Sequence, residues 1–132
     1  MINRNEMIGP LLTVCPRVKP LWSAFLEDWR DDGVALPLYL FFGDIARLVS
    51  SLYQEGCENE LRDIFSVIER WCTEGDDYVR EATRVGILED LQNTNLMGPV
   101  PPKALIRFLG PQSSMDWHAL EQFWGNVSEV SP

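Results

Sequence analysis

The only histidine of the chain, His118, stands in "SSMDWHAL" close to Ser113, Ser114 and Asp116. A serine, a carboxylate and an imidazole in one stretch are the residue types of nucleophilic or general-base catalysis. Such a base needs a nucleophile on one side and an orienting carboxylate on the other. Ser113 and Asp116, however, have the spacing of a helix capping box, which accounts for both without chemistry. His118 therefore reads as a surface or half-buried residue, and no residue is assigned a catalytic role. Metal ligation finds no better support. Cys15, Cys57 and Cys72 show no CxxC spacing, and three scattered thiols with one histidine do not make a zinc site. The glycine-containing stretches match neither a P-loop nor a dinucleotide fingerprint. The expectation is no enzyme activity, no cofactor and no metal.

What remains chemically is acid. One group is Asp28, Asp31 and Asp32, with Trp29 among them. A second is Glu74, Asp76 and Asp77. A third is Glu89 and Asp90, followed by Gln92 and Asn93, in the stretch "VREATRVGILEDLQNTN". Asp76 and Asp77 suit a helix amino end, where a carboxylate caps N–H groups and meets the dipole. Asp31, Asp32, Glu89 and Asp90 fall near carboxyl ends, where acids oppose the dipole. Acids set against local preference point to a partner; a solvated polar face is the competing reading. At helical spacing Glu89, Gln92 and Asn93 share a face, Asp90 lies about 100° away, and Leu88 and Leu91 turn to the core. Gln92 and Asn93 have a structural reading as well, satisfying the helix end. Trp29 beside Asp28 and Asp31 is an aromatic anchor rimmed by charge, the usual makeup of an interface hot spot.

The bulk numbers agree with a protein-binding role. The chain has 132 residues, enough for one domain with one core, and 45% of them are hydrophobic. Twenty acidic residues face 11 basic ones, for a formal net charge of -9. That balance disfavours nucleic acid and anionic membranes and favours a basic protein surface. Many acidic proteins have no such partner, so charge alone does not decide. The three cysteines read as reduced thiols, with Cys57 and Cys72 about 22 Å apart across one helix. "MINRNEMIGP" is not a secretory signal, and "VALPLYLFF" is too short to span a bilayer. A cytoplasmic monomer is expected.

The elements that must position these residues are all helical. A capping box at Asn3 and Glu6 opens a helix to about Val14, with Pro10 awkward inside it. Pro20 opens a second helix, with Leu21, Phe25, Leu26 and Trp29 as its stripe and Gly33 as its stop. Pro37 opens a third, where Leu38, Phe41, Phe42, Ile45, Leu48, Val49 and Leu52 keep helical rhythm to Gly56. A fourth spans about Glu58 to Thr73, ended by Gly75. The fifth is capped by Asp76 or Asp77, with Tyr78, Ala82, Val85, Leu88 and Leu91 inward. Residues 93–102 read as a loop. Pro102 opens a short sixth helix, and Ser113 with Asp116 caps the last, frayed after Asn126. The class is all-α: one domain, residues 1–132, of six or seven antiparallel helices. "YQEG" and "CTEG" both end helices, a faint echo that leaves a bundle and a HEAT-like stack open.

Three segments carry a resemblance: "LFFGDIARLV", "FSVIERWCTEGDDYVREATRVGILEDLQN" and "FLGPQSSMDWHALEQFW". Together they cover 56 of the 132 residues. The pattern resembles a family of small helical bacterial proteins associated with immunity to polymorphic toxins, the antidotes encoded beside contact-dependent inhibition and Rhs-type toxins. The resemblance implies an all-α fold and a cognate toxin domain as partner. It carries over no catalytic residue. An acidic surface would speed capture of a basic toxin domain. Here the acids are spread over three turns of chain rather than gathered in one block. The competing reading is a helical scaffold or adaptor without a toxin partner.

Overall fold

The computed structural model describes the backbone of residues 1–29 and 36–130 and the side chains of residues 1–29 and 36–124. A 3-10 turn, Arg4–Glu6, precedes α1 (Gly9–Val14), α2 (Val18–Trp29), α3 (Leu38–Glu55) and α4 (Glu58–Glu74). The next helix begins as α5 (Asp77–Ala82), passes through a π-helical segment (Thr83–Leu88) and closes as α6 (Glu89–Leu91). Then come α7 (Thr94–Met97), a 3-10 helix (Pro102–Phe108) and α8 (Pro111–Val130). The described residues form an all-α fold with a single β-bridge, between Ile2 and Gly75.

The two long central helices follow from their apolar rhythm. On α3, Phe41, Phe42, Ile45, Val49 and Leu52 are fully buried, and on α4 so are Ile64, Ile68 and Trp71. Gly56 joins them with a left-handed turn, φ 75° and ψ 23°. Its N–H bonds Tyr53 O at 3.1 Å while Cys57 N–H bonds Leu52 O at 2.9 Å, a Schellman closure that a side chain at Gly56 would strain. Phe42 meets Trp71 between the helices, ring centroids 6.0 Å apart. On the other flank Phe41 is packed by Phe25 at 5.2 Å and Trp22 at 5.0 Å, which docks α2.

The amino-terminal segment is laced onto this pair. Ile2 bonds Glu74 O and Asp76 N at 2.8 and 2.9 Å, holding the turn between α4 and α5. The buried indole of Trp71 donates to Met7 O at 3.0 Å. Asn3 and Glu6 do form the capping box, but it caps only the 3-10 turn. Pro10 cannot continue that turn inward, so α1 starts afresh with Pro10 in its first turn.

Three other expectations need correction: the loop after Asn93, the place of Val85 and the cap of the last helix. The described residues hold eight α-helices, because the π segment splits the expected fifth into α5 and α6, the expected sixth is 3-10, and Thr94–Met97 forms a helix where a loop is expected. Asn93 makes that helix possible by capping it, its Oδ1 accepting the Asn95 N–H at 2.9 Å. Val85, expected in the core, is 43% exposed. The π segment shifts the helical phase, so Gly86, Ile87 and Leu88 are buried there instead. Ser113 and Asp116 form no capping box. Ser113 already lies inside α8, and the carboxylate of Glu69 on α4 does the capping. The backbone of α8 is described as far as Val130.

Candidate functional site

The helix carrying Glu89 and Asp90 is shaped by the π segment before it. Gly86 sits against the ring of Phe42 so closely that a Cβ there would lie 2.7 Å from Phe42 Cδ2. Thr83, at the start of the segment, is buried and returns its hydroxyl to Val79 O at 2.7 Å. The wide turn then closes into α6, with Leu88 and Leu91 fully buried and Glu89 and Asp90 half-buried at the surface. Gln92 ends the helix, and its Nε2 donates to the carbonyl of Trp117 on α8 at 3.1 Å. That bond ties the end of α6 to α8.

Between these elements lies an open cleft of about 570 Å³. One wall is Glu89, Asp90, Gln92 and Asn93. The other is Glu121 and Trp124 of α8, with Pro102 at the end. All four residues of the "EDLQN" group meet the same space. Glu89 and Asp90 are both helical, so they stand about 100° apart, yet the cleft is wide enough for both to line it. Asn93 is already extended, with φ -86° and ψ 108°.

Electrostatically the cleft is one-sided. Among the described residues three carboxylates line it and no basic side chain does. The Asp90 carboxylate makes no hydrogen bond or ion pair among the described residues. Burial, with Glu89 beside it, pushes its pKa up to about 6 against the opposing pull of Arg47. Arg47 itself pairs with Asp44 at 3.3 Å. Glu121 is held by His118, Nδ1 to Oε1 at 2.7 Å, so the lone histidine orients a carboxylate of the cleft. No group of three His, Cys, Asp or Glu side chains among the described residues is placed to hold a metal ion. The arrangement can therefore take an extended cation touched at several points, beside an aromatic face.

The other acids expected to meet a partner are not brought here. Asp76 caps α5, accepting the Val79 N–H at 2.9 Å, and Asp77 is exposed in the first turn. Asp28 is exposed on α2, while Trp29 is half-buried against Phe25, centroids 6.4 Å apart. Asp31 and Asp32 lie outside the described residues. The amides of Gln92 and Asn93 both serve the fold as well as lining the cleft, as tether and cap. Glu121 and Trp124 were not among the expected site residues. Their signal was present, since they lie three apart on a helix that also carries buried Trp117. Of the thiols, burial raises the pKa of Cys15 and pushes that of Cys72 up to about 12.

The chain matches, over residues 8–125, the model of a domain of unknown function, DUF7674, and belongs to that family. No curated protein and no solved structure matches it. No helix among the described residues is long and apolar enough to cross a membrane.

Proposed function

We propose that this member of the DUF7674 family is a binding protein, an immunity protein that captures and neutralises a cognate basic bacterial toxin domain. The observation that carries the reading is the grouping of Glu89, Asp90 and Glu121 around one open cleft that no basic side chain lines among the described residues. A net charge of -9 adds long-range attraction for a basic domain and raises its rate of encounter. Nucleases and transferases that act on anionic substrates carry basic active sites, and an acidic edge can occupy the ground that substrate would take. The sequence resemblance to toxin antidotes supplies the class of partner. No catalysis, cofactor or metal enters this function.

The test is protection. Cells expressing the toxin domain encoded by the adjacent reading frame should survive when this protein is co-expressed. The double variant Glu89→Gln/Asp90→Asn should protect poorly while its folding stability holds. Loss of a charge pair desolvated at an interface costs about 2–5 kcal/mol of binding. A wild-type protein that neither binds nor protects against the neighbouring product, or a gene with no toxin beside it, leaves the helical adaptor as the reading.

A further inference from the structure

We infer that the cleft between α6 and α8 is a docking surface for a partner segment presenting an arginine beside an apolar residue, with the guanidinium stacked on Trp124 and paired with Asp90 and Glu121. This deepens the toxin-binding reading and rests on it. No described residue covers this face: Trp124, which lines the cleft, and Phe123 beside it are 42% and 57% exposed, and their rings meet edge to face at 5.2 Å. Exposed aromatics in such a pair, rimmed by carboxylates, suit an anchor site that excludes water on binding.

Charge complementarity selects a cation. The lining carboxylates are Glu89, Asp90 and Glu121, and the nearby bases are committed elsewhere or at the rim. Arg47, on α3, is turned to Asp44, and His118, on α8, is turned to Glu121. The half-buried carboxylate of Asp90 makes no ion pair among the described residues, and Arg47 acts on it only at a distance. Gln92 spends its N–H₂ on Trp117, and its amide oxygen takes no donor among the described residues. Acceptors on both walls and an indole face at one end fit a planar fork of N–H donors. Arginine has that fork, stacks on aromatic faces and loses its hydration more readily than lysine. The volume, about 570 Å³, lies in the range of built small-ligand sites and leaves room for a neighbouring apolar side chain against Pro102 and Trp124.

The same geometry makes capture depend on pH. Asp90 is protonated below about pH 6, where burial and Glu89 outweigh Arg47. An arriving guanidinium favours its ionised form, so binding expels a proton near that pH and weakens in acid.

The probe is an uncharged-end peptide, acetyl-Leu-Xaa-Leu-amide, with arginine, lysine or citrulline at Xaa, titrated into the isotopically labelled full chain. At pH 7.5 the arginine peptide should bind about tenfold more tightly than the lysine peptide, the scale of a desolvated cation–aromatic contact. The citrulline peptide should not bind. Shifts should centre on the Trp124 indole N–H and the side-chain amides of Gln92 and Asn93. Trp124→Leu, which keeps an apolar side chain at an exposed position, should erase the preference for arginine. Lowering the pH to 5 should weaken arginine binding several-fold in the wild type and little in Asp90→Asn. Equal binding of arginine and lysine, shifts spread over the whole acidic surface, unchanged preference in Trp124→Leu, or no binding at all would each overturn the proposal. Toxin protection that persists in Trp124→Leu would show capture through other acids. Arginine binding without any protection would leave the cleft assignment standing and remove the toxin.

Discussion

Glu69, near the end of α4, grips Ser113, in the first turn of α8, through one carboxylate oxygen. It accepts the Ser113 backbone N–H at 2.9 Å and the hydroxyl at 2.8 Å, while its other oxygen takes the Gln112 N–H at 3.0 Å. A side chain from a distant helix thus satisfies amino-terminal donors that α8 cannot satisfy internally. The fit is tight, since a Cβ on Gly110 would lie 2.5 Å from the Glu69 carboxyl.

Glu69→Ala should therefore destabilise the fold by about 2 kcal/mol, the scale of a charged hydrogen bond lost with its partner left unsatisfied. Glu69→Gln should cost less, because one acceptor oxygen remains. Chemical denaturation at pH 7 measures both. Burial raises the Glu69 pKa, but the N–H groups of Ser113 and Gln112 and the Ser113 hydroxyl together hold it below 4.5. With the folded pKa depressed, this stabilisation is present above pH 4.5 and lost as pH falls through the lower folded value. The gap between wild type and Glu69→Ala should close in that acid window.

Gly86→Ala should place a methyl into the ring of Phe42, 2.7 Å from Cδ2. Overpacking of a close-packed core costs about 1–3 kcal/mol. Phe42→Leu should relieve part of the clash, so the double variant should be less unstable than the sum of the singles. Thermal unfolding of the four proteins measures the coupling. Additive losses would mean that the π segment gives way without involving Phe42.

Trp71→Phe should cost about 1–2 kcal/mol beyond its small loss of volume. The indole N–H it removes is the partner of the buried Met7 carbonyl at 3.0 Å. The effect should appear first as faster hydrogen exchange at Ile2 and Asp76, whose backbone bonds lace the amino-terminal segment to the turn after α4. Uniform loss of protection across α3 and α4 instead would assign Trp71 to packing alone.

The helices that carry their own periodicity were legible in the sequence. Pro37, the seven apolar positions after it and Gly56 bound α3 from local rules, and α4 follows likewise. Asp76 was legible as a cap because a cap is a local bond. What escaped was set by contacts distant in sequence. Ser113 and Asp116 have the spacing of a capping box, yet Glu69, 44 residues from Ser113, takes the donors. Val85 was misplaced because nothing in "TRVGIL" announces a π turn; the close seat of Gly86 on Phe42 is a tertiary fact. Half of the cleft was readable as "EDLQN". Its opposite wall, Glu121 and Trp124, meets those residues only once α8 is docked by Glu69 and tethered by Gln92.

Asp90→Asn should stabilise the protein at pH 7.5 and do little at pH 4. The carboxyl is half-buried beside Glu89, with its pKa raised from 3.8 to about 6, so the fold holds a proton there that the unfolded chain releases. Between about pH 4 and pH 6 the folded state binds more protons, and stability falls as pH rises through that window. Above it the ionised carboxylate burdens the fold by a constant amount. A rise of about two units would correspond to about 3 kcal/mol for a fully desolvated group. Solvent reaches half of this one, which leaves about 1 kcal/mol. Urea denaturation of both proteins from pH 4 to pH 8 gives the difference directly, since every other titrating group cancels. A gap that opens from about pH 4 and levels off above about pH 6 at about 1 kcal/mol identifies Asp90 as a charge held against the stability of the fold, as a residue kept for a cationic partner would be. A gap that is flat with pH, or that favours the aspartate, would mean that Arg47 compensates the carboxylate, and the partner-facing role would lose its energetic support.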